Sequence, residues 1–144
     1  MKDILVDNTV AKNFSNPLDP HYKVFIRWLQ DTGVLVVTQR LIVEYYRTCA
    51  ASGSSTSMPA LIDHLLRKGR LKKFTKTELS SFRFTAKVQR SLRSNIEDHD
   101  TVKAVMLSVR KLALSHDTNL RHDIKTFPGH KARAERRPQD LPYA

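Results

Sequence analysis

Gly33-Val34-Leu35-Val36-Val37-Thr38 decides the architecture of this chain. Four apolar residues, three of them β-branched, run without a polar alternate. That is the pattern of a strand buried on both faces of a parallel sheet. On its N-terminal side, Asp19-Pro20 reads as a helix N-cap followed by proline in the first turn. Tyr22, Phe25, Ile26 and Leu29 then recur at helical spacing until Gly33 stops the helix. On the other side, Thr38 can cap a second helix with Leu41, Ile42, Tyr45 and Cys49 as its apolar stripe. The unit is helix, strand, helix.

The same alternation runs outward in both directions. Ile4-Leu5-Val6 is a short buried-type strand ending at Asp7, and Leu112-Ala113-Leu114 is another ending in Ser115-His116-Asp117. Between them, Ala51 to Pro59 reads as a flexible Ser/Gly/Thr loop, and Leu61, Ile62, Leu65 and Leu66 as a short helix. Leu71 to Phe74 reads as a short extended piece. Thr77 is expected to cap a long helix to about Arg93, and Val102, Val105, Met106 and Val109 mark another. After a last turn at Asn119 to Asp123, Ile124 to Phe127 reads as an edge strand. The expected fold is α/β: three layers, α/β/α, with a mostly parallel sheet of about four to five strands. One domain, residues 1–127, is expected, with a polar basic tail, 128–144, disordered or docked extended on the surface.

The bulk properties fit one globular domain: 144 residues, 40% hydrophobic and 27% charged. One cysteine excludes an intrachain disulfide and suits a reducing compartment. Without a long apolar run or a signal-type start, a soluble cytoplasmic protein with no membrane partner is expected. The net charge of +11 points to a polyanion. Residues 60–93 carry ten Lys/Arg against Asp63 and Glu78, whereas residues 94–124 have four basic and five acidic residues.

The acids stand where ligands gather in an open parallel sheet, at the carboxyl ends of strands. Asp7 and Asp117 follow two strands, Glu44 lies within two turns of the helix after a third, and Asp98 opens the helix leading to Leu112. Taken singly, each has an ordinary explanation as a cap, a turn residue or a surface acid. Taken together, they form an all-oxygen set suited to Mg²⁺ or Mn²⁺, ions that can activate water for attack on phosphorus. For the third acid, Glu97, Asp98 and Asp100 are all available. Asp98 shares a stripe with Val102, Val105 and Val109, so it is preferred and Asp100 is kept in reserve.

These segments resemble the PIN-domain nucleases. Ile4-Leu5-Val6-Asp7-Asn8-Thr9-Val10 is similar to the family's opening, an apolar strand followed by Asp-Thr-Asn. Val36-Val37-Thr38 to Ile42-Val43-Glu44 resembles its strand-to-helix unit with a glutamate. Asp98 to Ala104 and Leu112 to Leu120 resemble its closing half, where Ser/Thr-x-Asp follows a strand. The order after Asp7 is Asn-Thr instead, so Thr9 holds the usual asparagine position. The resemblance, over roughly residues 3–127, implies a Mg²⁺- or Mn²⁺-dependent endoribonuclease with Asp7, Glu44, Asp98 and Asp117 as catalytic metal ligands and Asn8 and Ser115 in support. It further implies RNA as partner, a toxin of a toxin–antitoxin pair with an antitoxin protein, and a homodimer.

The expected RNA-binding residues are Arg67, Lys68, Arg70, Lys72 and Lys73, with Arg83, Lys87 and Arg90 along one helix. The six histidines lack His-x-x-x-His spacing, which disfavours zinc. With four glycines there is no phosphate loop, and no Ser-His-Asp set is evident. The alternative to the nuclease is a catalytically impaired RNA- or protein-binding module on the same fold, motivated by the Asn8-Thr9 order. A receiver-like domain would also gather strand-end carboxylates, but the strand-end lysine it needs is missing.

Overall fold

The computed structural model describes residues 1–49 and 54–144, and in the helix ending at Cys49 that last side chain is not described. The stripe position of Cys49 and the start of the expected Ala51–Pro59 loop therefore lie outside the described residues. The fold is α/β. One five-stranded sheet runs in the order β3-β2-β1-β4-β5, with every neighbouring pair parallel. Its strands are β1 (Asp3–Val6), β2 (Val34–Thr38), β3 (Leu71–Phe74), β4 (Leu112–Leu114) and β5 (Arg133–Glu135).

The helices follow chain order: α1 (Asn8–Ala11), α2 (Pro20–Asp31), α3 (Gln39–Cys49), α4 (Met58–Arg67), α5 (Lys76–Ser81), α6 (Ala86–Ser91), α7 (His99–Leu107) and α8 (Thr118–Lys125). Helices α1 to α4 pack among themselves, as do α5, α7 and α8. Right-handed crossovers explain the grouping. The chain moves outward from β1 to β3, then returns past β1 to β4 and β5, so its connections cover opposite faces. The central strands are accordingly apolar throughout: Ile4, Leu5, Val6, Leu35, Val36, Val37, Ala113 and Leu114 are all buried. Among the described residues no helix is long and apolar enough to cross a membrane.

Several expectations change. Ile124 to Phe127 is no strand, because Asp117 caps α8 and the helix runs on to Lys125. The fifth strand, Arg133–Glu135, comes from the tail and buries Ala134 beside Ala113. With one apolar residue it carries no strand pattern, as suits a charged sheet edge. Nor is the tail loose: the Tyr143 ring lies 4.9 Å from those of both Phe25 and Trp28.

The expected helix from Thr77 to Arg93 is two helices. Thr75 caps α5 through a reciprocal capping box with Glu78, and Thr85 caps α6 by accepting from the Val88 N–H. Each threonine offers the backbone a fresh start, and Phe82 between them is extended. Arg83 therefore sits in a connection and shares no stripe with Lys87 and Arg90. Helix α7 ends at Leu107, so Val109 is off its face. The buried Asp3 carboxylate takes the Val109 and Arg110 N–H groups at 2.7 and 2.9 Å.

Candidate active site at the switch in strand order

Strand order reverses between β1 and β4, and in open parallel sheets ligands gather at the carboxyl ends beside such a switch. Val6 pairs with Leu114, so Asp7 and Ser115 leave the sheet side by side. The Asp7 N–H still donates to the Leu114 carbonyl at 2.8 Å, and the residue is 7% exposed. Its Oδ2 accepts the Thr9 hydroxyl at 2.6 Å and the Ser115 hydroxyl at 2.8 Å. Both hydroxyls are themselves oriented: Thr9 Oγ1 accepts the His116 N–H at 2.9 Å, and Ser115 Oγ accepts the Asp117 N–H at 3.0 Å. Two hydroxyl groups donating to one oxygen hold that carboxylate in place.

Asp117 is both a site acid and a helix cap. Its Oδ1 accepts the N–H groups of Asn119 and Leu120 at 2.9 and 3.1 Å. Glu44, on the second turn of α3, is drawn to Arg40, whose Nε lies 3.0 Å from Oε1. The other end of that guanidinium meets Glu97 at 2.7 Å. Under these acids lies Tyr45, fully buried, with its hydroxyl donating to the Val6 carbonyl. Burial, then the charges of Asp7 and Glu44, push its pKa well up, so it remains a neutral floor.

Asp98 ends the short 3-10 turn Ile96–Asp98 and stands at the N-cap position of α7 without making a cap hydrogen bond. Its carboxyl is raised to about 6, first by burial and then by Asp7, with Asp117 and Glu44 adding and Arg40 opposing. All four acids therefore share one field. Asp100, the reserve candidate, instead lines a neighbouring pocket. Asp98 thus lies on this turn at the start of α7, while Val109, expected on its stripe, lies beyond the helix.

As oxygen donors under mutual repulsion, Asp7, Asp98, Asp117 and Glu44 fit a hard divalent cation in kind and charge. As placed, their oxygens do not converge: among the described residues no three His, Cys, Asp or Glu side chains stand together at metal-holding range. Glu44 is turned to Arg40 and Asp117 to its helix.

The Asn8 side chain donates not to the acids but to Thr48 Oγ1 at 2.9 Å. Thr9 takes the supporting place, a role its two-residue spacing from Asp7 could have suggested. Arg40 was also legible, four residues before Glu44 on one helix. A third missed group left no local signal. Lys12, Arg121 and Arg136, far apart in sequence, surround His116. Its pKa is lowered first by burial and then by Arg136, Lys12 and Arg121. Arg121 also donates to the Ser115 carbonyl at 2.9 Å, and His116 Nε2 meets the Tyr22 hydroxyl at 3.1 Å.

The expected basic run divides by strand end. Lys73, with Lys76 just beyond the run, stands at the carboxyl end of β3 in a pocket lined also by Arg40 and Asp100. Arg67, Lys68 and Arg70 stand at its opposite end. Arg67 pairs with Asp63 at 3.0 Å. Arg70 is structural: its guanidinium donates to the carbonyls of Leu29 and Gly33 at 2.8 Å and to that of Gln30. Lys72 pairs with Glu78 at 3.6 Å. Comparison with family models, with curated proteins and with solved structures finds no match to this chain, so the reading of the site rests on its own residues.

Proposed function

We propose that the chain is a metal-dependent endoribonuclease of PIN type that hydrolyses RNA phosphodiester bonds. One observation carries the reading: Asp7, Asp98, Asp117 and Glu44, from four segments, act on one another at the switch in strand order, where burial first, and then Asp7 with Asp117 and Glu44, raises Asp98 to about 6. Asp7, Asp98 and Asp117 would hold Mg²⁺ or Mn²⁺, joined by Glu44 once it leaves Arg40. Such an ion, when bound, supplies an activated water and charge neutralisation at phosphorus. Thr9 and Ser115 keep the Asp7 oxygen fixed, which spares reorganisation during the reaction. Arg40 on one side, and Lys12, Arg121 and Arg136 on the other, supply cations for RNA phosphates. The family resemblance extends the proposal to a toxin with an antitoxin partner, to a homodimer and to the cytoplasm.

Asp7→Asn tests the reading. Single-stranded RNA should be cut by the parent chain in Mn²⁺ and spared by the variant, while circular dichroism stays unchanged. Cleavage that persists in excess chelator would sink the mechanism. A second reading, an RNA- or protein-binding module without catalysis, is favoured by Arg40, which already gives Glu44 and Glu97 a counter-charge. Calorimetric titration with Mn²⁺ separates the two, since the module would take up no metal.

A further inference from the structure

Beside the acids lies a pocket of about 460 Å³ at the carboxyl ends of β2 and β3. The register creates it. Thr38 pairs with Phe74, so the starts of α3 and α5 diverge from adjacent strand ends and leave a gap between them. Arg40, Lys73 and Lys76 supply its positive charge, Phe74 and Leu79 its apolar surface, and Asp100 a lone acid. Arg40 joins the pocket to the acid cluster, because its guanidinium holds Glu44 and Glu97. Asp98 and Asp100 likewise turn to the two sites from one short segment.

These linings select a ligand chemistry. Arg40 already carries Glu44 and Glu97, but Lys73 and Lys76 outnumber Asp100 and favour negative charge. Phe74 and Leu79, 7% and 5% exposed, line a gap that phosphate alone would not fill. Asp100 would repel a polyphosphate but accepts hydrogen bonds from an exocyclic amine, as carboxylates do with cytosine. We infer that this pocket binds one unpaired nucleotide, its phosphate held by Lys73 and Lys76 and its base lowered beside Phe74 and Leu79 with its amino edge toward Asp100. The inference rests on the ribonuclease reading for its purpose: it favours a single-stranded substrate, because a paired base would first have to be unpaired and unstacked to enter. Arg40, freed from Glu44 as the phosphate arrives, would couple filling of the pocket to completion of the acid set.

Binding can be read without metal and without cleavage. Cytidine 5′-monophosphate is titrated into the isotope-labelled full chain in chelator, with amide shifts followed by NMR. Saturable shifts at residues 39–41, 73–79 and 100 are expected, together with much weaker binding of inorganic phosphate. Lys73→Glu with Lys76→Glu should weaken nucleotide binding by about tenfold or more, as loss of charged hydrogen bonds predicts. Lys23→Glu with Arg27→Glu, an equal charge change at exposed positions of α2, should leave it unaltered. Shifts absent from these residues, equal shifts with phosphate alone, or equal losses in both double variants would overturn the pocket. Asp7→Asn should bind the nucleotide like the parent. Nucleotide binding in a chain that cuts no RNA would leave the pocket standing and remove the nuclease; cutting without nucleotide binding would do the reverse.

Discussion

Asp98 is the residue at which folding and chemistry oppose each other. An aspartate raised from 3.8 to about 6 holds more protons folded than unfolded between those values. Its contribution to stability therefore falls as pH rises from about 4 to about 6, opposite to the behaviour of a salt-bridged carboxylate. Asp98→Asn removes a charge that burial first, and Asp7 next, penalises. In chelator the variant should be more stable than the parent at pH 7 by ~1 kcal/mol, a figure reduced for solvent screening at a partly exposed group. At pH 4 the difference should vanish. Urea denaturation at both values measures it, and a less stable variant at pH 7 would mean that Asp98 is a structural partner. Such a penalty belongs to binding sites more than to scaffolds. Asp7 was legible from its place at a strand end, but its two hydroxyl donors were not, since Ser115 lies 108 residues away.

At the scale of elements, pattern was informative where burial was complete. The central strands are continuous apolar runs, and the α2 start was legible because Asp19 accepts the His21 N–H as the cap position requires. Edges were harder. β3 carries Lys72 and Lys73, and β5 reads Arg-Ala-Glu. Both need only a neighbour's hydrogen-bonding groups and one inward face. Arg70 illustrates the same limit: in sequence it belongs to a basic run, yet its guanidinium binds the carboxyl end of α2 to β3. Arg70→Lys cannot reproduce that fork, so it should cost about 2 kcal/mol of stability while, on the proposed ribonuclease reading, RNA affinity stays within about twofold of the parent. Thermal melting and fluorescence anisotropy would measure the two effects. An RNA-binding loss without destabilisation would return Arg70 to the nucleic-acid surface.

For the whole molecule, the tail completes the fold. Strand β5 covers the edge of β4, Leu141 is buried, and Tyr143 closes over Phe25 and Trp28. A chain ended at His130 should lose on the order of 3 kcal/mol from the apolar surface it uncovers. An unchanged melting temperature would contradict that. The alternation of strand and helix, and the identity of the strands buried on both faces, were determined by the sequence alone, because burial imposes a composition that can be read residue by residue. So were the strand-end positions of Asp7 and Asp117. Tertiary structure alone decided the rest: the order of strands that puts the switch between β1 and β4, the gathering of Lys12, Arg121 and Arg136, and the pocket between β2 and β3. Those depend on contacts between distant segments, where charge and shape act through space and leave no period in the chain.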